Sequence, residues 1–135
     1  MKIQLLSDLH LEAHPQFTPE PAPAADVLVL AGDIGSYQEG GLLADTSFGL
    51  ERFSPLPQFA GWPVPVLLVP GNHEYDAQDF DAAHHRLRTV CDQLGIAWLE
   101  RETLVLTACV LLAPRSGATS MPWQTTKTAP ISRIA

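Results

Sequence analysis

Basic residues are scarce in this chain: eight Lys and Arg stand against fifteen Asp and Glu, for a formal net charge of -7. A surface so short of cations repels phosphate backbones, so a groove for duplex nucleic acid is excluded, although bound metal ions can still attract a single phosphate. Cysteine is equally sparse. Cys91 and Cys109 are the two thiols and form no C-x-x-C pair, which leaves neither a disulfide framework nor a zinc knuckle and fits free thiols in a reducing compartment. No apolar run approaches the ~20 residues of a membrane span. The few apolar residues between Met1-Lys2 and Asp8 are too short for a secretory h-region, so a cytoplasmic location is expected. A glycine-rich phosphate loop and internal repeats are also missing.

What is present is a sequence of globular character, 46% apolar and 17% charged over 135 residues, enough for one core. Three short apolar runs read as buried strands of an α/β sheet: Lys2 to Ser7, Val27 to Ala31 and Val64 to Val69. They are expected to lie side by side, largely buried, with their carboxyl ends on one edge. His14 to Ala25 holds Pro15, Pro19, Pro21 and Pro23 and must be irregular. Gly40 to Phe53 is weakly helical. From Asp79 to Leu94 the residues Phe80, Ala83, Leu87, Val90, Cys91 and Leu94 recur at three- and four-residue steps and Gly95 supplies a stop, which predicts an amphipathic helix. Ile96 to Leu99 and Leu104 to Leu106 read as two further strands. Beyond about Thr107 the apolar period ends, and Ala113 to Ala135 is rich in Pro, Ser and Thr. Residues 108–135 are therefore expected to form a disordered tail foreign to the domain of residues 1–107.

Each of the three strands runs into a polar cluster: Asp8-Leu9-His10, Gly32-Asp33 and Gly71-Asn72-His73-Glu74. Singly these are weak signals, since Asp and His also serve as turn residues. Three strand ends in order, each offering oxygen or imidazole donors, make a metal site the chief reading, because open α/β sheets bind ligands at the carboxyl ends of their strands. The residue types suit that chemistry. A carboxylate such as Asp33 has two oxygens and can bridge two cations, Asp8 and His10 lie two residues apart beyond one strand, and Asn72 adds a neutral carbonyl oxygen. Gly32 and Gly71 permit close approaches that a Cβ would block. His14, in the proline-rich loop, and His84 and His85, on the helix, read as surface residues.

These blocks resemble the calcineurin-like metallophosphoesterase family, whose pattern is D-x-H, G-D and G-N-H-[D/E], followed by an isolated His and G-H-x-H. The runs Ile3 to His10 and Val69 to Glu74 look like those of small bacterial members. The resemblance implies a partial four-layer fold, a β-sheet core with flanking helices. It also implies two divalent ions, Mn, Fe, Zn or Mg, with Asp8, His10, Asp33 and Asn72 as metal ligands. His73 would be the catalytic acid that protonates the leaving group of a small phosphate-ester substrate. Glu74 would hold His73 or its loop.

The last histidine is His85, so the later blocks of the pattern have no counterpart and the second half of the fold is expected to be missing or scrambled. Arg115 to Ser120 can be back-translated so that a shifted register encodes Leu-Trp-Ser-Asp-Phe, close to a run that family members carry after such a helix. A truncated or frameshifted phosphoesterase is the implied reading, with a catalytically inactive fragment that binds divalent metal weakly as its alternative. A nucleotide-binding or receiver-type module shares the strand-end carboxylates but leaves Gly71-Asn72-His73-Glu74 unexplained.

Overall fold

Apolar side chains on both sides of one strand force it into the middle of a sheet, and Val27–Ala31 is that strand. In a computed structural model, which describes residues 1–43, 47–106, 109–112 and 128–129 (the last two stretches as strand backbone only), it forms β2. Its neighbours are β1 (Ile3–Leu6) and β3 (Val66–Val69), and β4 (Ala97–Trp98) lies beyond β3. The order is β1-β2-β3-β4 and every pairing is parallel, with Leu5 opposite Val29 and Val29 opposite Leu67. Parallel pairing puts the carboxyl ends of β1, β2 and β3 on a single edge.

Helix α1 (Phe80–Leu94) makes the crossover from β3 to β4. It starts where the Asp79 side chain accepts the Ala82 N–H at 2.9 Å, and it ends at Gly95, whose φ of 68° terminates the helix without the strain a Cβ would bring. Leu87, Val90, Cys91 and Leu94 pack with Leu28, Leu30, Val66 and Leu68, together with Phe48, Phe53 and Trp62, in the larger of two apolar clusters. Removing one of these buried leucines to alanine costs about 2–5 kcal/mol. The opposite face carries Val27, Val29 and Leu67 against Leu99 and Leu106. Leu106 ends β5 (Thr103–Leu106), which pairs antiparallel with β6 (Cys109–Leu112) and parallel with β7 (Thr128–Ala129) in a second, three-stranded sheet.

The architecture is a partial α/β fold, as the apolar runs imply, with three differences in detail. β1 is an edge strand, not a buried one: Ile3 is 43% and Leu5 62% exposed, because only one side of the strand has β2 beside it and the Ile3/Leu5 face lies beyond the cluster that covers Val27 and Val29. Within Gly40 to Phe53 the described residues include only a 3₁₀ turn, Leu50–Phe53, and residues 44–46 lie outside the described part. Phe80 begins α1 but stacks on Tyr75 instead of entering the core, and it stays 48% exposed. The expected loss of order after about Ala113 falls outside the described residues, apart from the backbone of β7.

Candidate metal centre

The edge where β1, β2 and β3 end is built from backbone in an unusual conformation. Asp8 (φ 52°), His10 (φ 46°) and Asp33 (φ 54°) all sit in the left-handed region, which costs an L-residue about 1–2 kcal/mol. The loops after β1 and β2 stay paired, with the Asp8, His10 and Leu11 N–H groups donating to the carbonyls of Gly32, Asp33 and Ile34 at 2.9–3.1 Å. The left-handed turns let the side chains leave the strand direction while the backbone bonds hold the loops together.

The loops after β2 and β3 touch more closely still. A Cβ on Gly71 would lie 2.2 Å from Asp33 Oδ1, and one on Gly32 would lie 2.8 Å from Gly71 Cα. Both glycines are therefore required by contact. Asp33 Oδ1 uses the space by accepting the His73 N–H at 2.9 Å, which ties the Asp33 carboxylate to the 3₁₀ turn His73–Tyr75.

Under this junction lies Glu74, 1% exposed. Its carboxylate accepts N–H groups from Ile34 (2.7 Å), Gly71 (2.8 Å) and Asp33 (3.2 Å), one chain segment gathered on each side. These bonds favour the ionised acceptor, whereas stripping water from a carboxylate disfavours it, and the second effect is the larger here. Burial holds the Glu74 carboxyl above its ordinary range, and the amide hydrogen bonds pull it only part of the way back.

Three side chains converge above Glu74. His10, Asp33 and His73 each offer a ligand atom, and these atoms lie within 4.8 Å of one another. The two imidazoles meet edge to face with ring centroids 4.5 Å apart. Each is backed by a carboxylate. His10 Nδ1 is 3.0 Å from Glu12 Oε1, and Glu12, 3% exposed, is itself fixed by the Ser36 N–H at 3.1 Å. His73 Nδ1 is 2.9 Å from Asp76 Oδ2 but out of line for a hydrogen bond, so this buried nitrogen is left without a bonded partner in the described structure. The geometry frees Nε2 of His10 for a cation and keeps its ring orientation set from behind, the arrangement metal-bound histidines commonly show.

Of the residues the sequence singled out, His10, Asp33 and His73 are brought together, while Asp8 and Asn72 stand on the same loops and are exposed. Sequence reasoning missed Glu12 and Asp76. The signal for Glu12 was its place two residues after His10, and for Asp76 three residues after His73; both are spacings that a short loop can close. His84, read as a helix-surface residue, keeps 29% of its side chain exposed, and it also makes contacts that its spacing did not announce: its ring lies between Tyr75, Phe80 and Trp98. An open cleft of about 470 Å³ on the proline-rich loop, lined by Phe17, Pro19 and Arg52 among others, contains none of these ligands.

The donor chemistry fits a divalent ion: two imidazoles and a carboxylate, of the borderline and hard types that Mn, Fe, Zn and Mg accept in different measure. A family model described as calcineurin-like phosphoesterase matches residues 1–110, the greater part of the 135-residue chain and all three strand-end clusters. No curated protein and no solved structure matches the chain.

Proposed function

Because the chain belongs to the calcineurin-like phosphoesterase family, we propose that it is a metal-dependent hydrolase of small phosphate esters whose ions are held at the carboxyl ends of β1, β2 and β3. The observation that carries this reading is the convergence of His10, Asp33 and His73 within 4.8 Å. In this assignment Asp8 and His10 would hold the first of two ions and Asn72 the second, and Asp33, with two carboxylate oxygens, would serve both. Such ions supply Lewis acidity toward phosphoryl oxygens and a nucleophilic water at neutral pH. The chain's own residues do the positioning. Glu12 orients the His10 ring, Glu74 and the Gly32 and Gly71 contact fix the Asp33 carboxylate, and Asp33 in turn holds the His73 backbone. With Asp76 beside Nδ1, the His73 ring can present a proton at Nε2 to a leaving-group oxygen, the role of a general acid. No helix among the described residues is long and apolar enough to cross a membrane. The reading has the protein act on soluble esters in the cytoplasm.

A second reading, metal binding with little or no turnover, is favoured by the count of donors. With His73 kept for the acid role, the donors among the described residues are His10 and Asp33 of the convergent group, with Asp8 and Asn72 on the same loops. Two ions sharing that set keep many water ligands, and loosely fixed ions orient a nucleophile poorly. Mn²⁺ titration followed by p-nitrophenyl phosphate and bis-p-nitrophenyl phosphate assays separates the readings. Mn²⁺ uptake with turnover, both lost in Asp33→Ala, supports the hydrolase. Uptake that Asp33→Ala abolishes, without turnover, selects the second reading, and a chain that takes up no divalent ion sinks both.

A further inference from the structure

We propose that His84 of α1 is a positioning residue for the turn that carries His73 and Glu74, acting through the hydroxyl of Tyr75. The inference deepens the metal-centre reading and rests on it for its functional meaning. Tyr75 closes the 3₁₀ turn His73–Tyr75, next to the clamp residue Glu74. Its hydroxyl lies 3.1 Å from His84 Nδ1, a hydrogen bond that joins the turn to the first half of α1. On the other side of the ring, His84 Nε2 is 3.6 Å from Oε2 of Glu100, a carboxylate only 7% exposed. That distance is too long for a hydrogen bond, yet a buried negative charge so near attracts the ring proton to Nε2. Nδ1 is then an acceptor and the tyrosine the donor. The imidazole has little freedom to turn away, since it stacks on Tyr75 and Phe80 and meets Trp98 edge to face with centroids 5.2 Å apart.

The three groups come from three elements: the turn after β3, the helix, and the stretch after β4. Helix α1 is anchored in the core by Leu87, Val90 and Leu94, so a bond from its surface to Tyr75 ties the site loop to a rigid body. The loop needs such a tie. Its other attachments, the His73 N–H on Asp33 Oδ1 and the Gly71 N–H on Glu74 Oε2, all lie on the side of the metal centre. From behind, the Tyr75 hydroxyl ties it to the helix, and the bond from Gln78 Nε2 to the Glu74 carbonyl braces it internally.

Residue-resolved hydrogen exchange and Mn²⁺ titration of the full chain test this together. In Tyr75→Phe and His84→Ala, the amides of Gly71 and His73 exchange about 10-fold faster while those of Leu28 to Leu30 in β2 are unchanged, as expected for local opening alone. Mn²⁺ affinity falls by roughly 10-fold, the lower end of what outer-shell partners of metal ligands contribute. The double variant is no worse than either single one, and His84→Asn, whose side-chain oxygen can stand where Nδ1 stood, restores both readouts. Exchange that rises evenly through β2 and the turn, or does not rise, overturns the proposal. So does a chain whose Mn²⁺ binding is abolished by Asp33→Ala but untouched by Tyr75→Phe. If the parent chain takes up no Mn²⁺, the metal-centre reading falls on its own, and the exchange result still decides whether His84 positions the turn.

Discussion

Glu74 and Glu12 are both carboxylates buried behind the same edge of the sheet, and they hold different things. Glu74 gathers three backbone N–H groups from the loops after β2 and β3. Glu12 accepts one backbone N–H, from Ser36, and the Gln38 side-chain amide, and it faces the His10 ring. The first region is a scaffold, in which a charge is spent on fixing chain against chain. In the second the charge acts on a side chain that is itself a donor. The contrast teaches that burial of an acid near a site says little about its task until its partners are named.

The scaffold side is where the largest effects are expected. Gly71→Ala drives a Cβ to 2.2 Å from Asp33 Oδ1 and 2.6 Å from its backbone nitrogen, neither of which can move without breaking the junction. A loss of roughly 3 kcal/mol or more in urea unfolding follows. Near-parental stability would show that the two loops are softer than their contacts imply. Glu74→Gln comes next. Its amide nitrogen must face backbone N–H groups, leaving buried donors unpaired at a cost of about 2 kcal/mol or more, read by the same unfolding assay. The parent should also lose stability as pH rises through the window between the ordinary glutamate value and the raised one. The folded chain keeps the Glu74 proton longer than the unfolded chain does, and Glu74→Gln removes that slope.

On the other side, Glu12→Gln should leave unfolding within about 1 kcal/mol of the parent, since the amide oxygen can still accept the Ser36 N–H. Its effect belongs to the ion: Mn²⁺ affinity falls about 10-fold as His10 loses the partner that fixes its ring. Equal losses of stability in the two glutamine variants would erase the contrast between the regions.

The smallest effect reads out distance from the scaffold. Burial pushes the Cys91 thiol up to about 12, with lesser contributions from the charges of Asp92 and then Glu74. In a Cys109→Ser background, alkylation of native Cys91 at pH 9 should be at least roughly 100-fold slower than in urea, because the thiolate is the nucleophile. The folded chain keeps this proton above the ordinary thiol value of about 8.5, so folding weakens as pH climbs from there toward 12. After correction for global opening, Glu74→Gln should speed alkylation slightly and Glu12→Gln should not.

Much of this was legible in the chain itself. The apolar run Val27 to Ala31 can be buried on both faces only in a central strand, and Asp79 and Gly95 mark the ends of α1 by cap chemistry that is local. That the three strand-end clusters share one edge could be read from parallel strands, although the trio that meets there, His10, Asp33 and His73, is not the set expected to hold the ions. What escaped were facts that depend on distant residues. The exposure of Ile3 and Leu5 is decided by what covers the outer face of β1, about which the strand's own pattern is silent. Glu12 looks like any loop glutamate until Ser36, 24 residues on, supplies its N–H. His84 has the spacing of a surface position, and only the approach of Tyr75 and Glu100 from either side makes it a link between elements.

The left-handed backbone at Asp8, His10 and Asp33 has a consequence for any attempt to evolve or redesign this protein. Glycine adopts that conformation freely, so at each of the three positions a change to glycine offers a gain of about 1 kcal/mol against the loss of the side chain's own contacts. A laboratory selection that scores only survival of the folded chain, by heat or by protease, should therefore drift toward glycine first at the exposed Asp8, and last at Asp33, whose carboxylate holds the His73 N–H. The donors would disappear in the order in which the fold can spare them, and a library screened for robustness alone would return sturdier chains with an emptier rim.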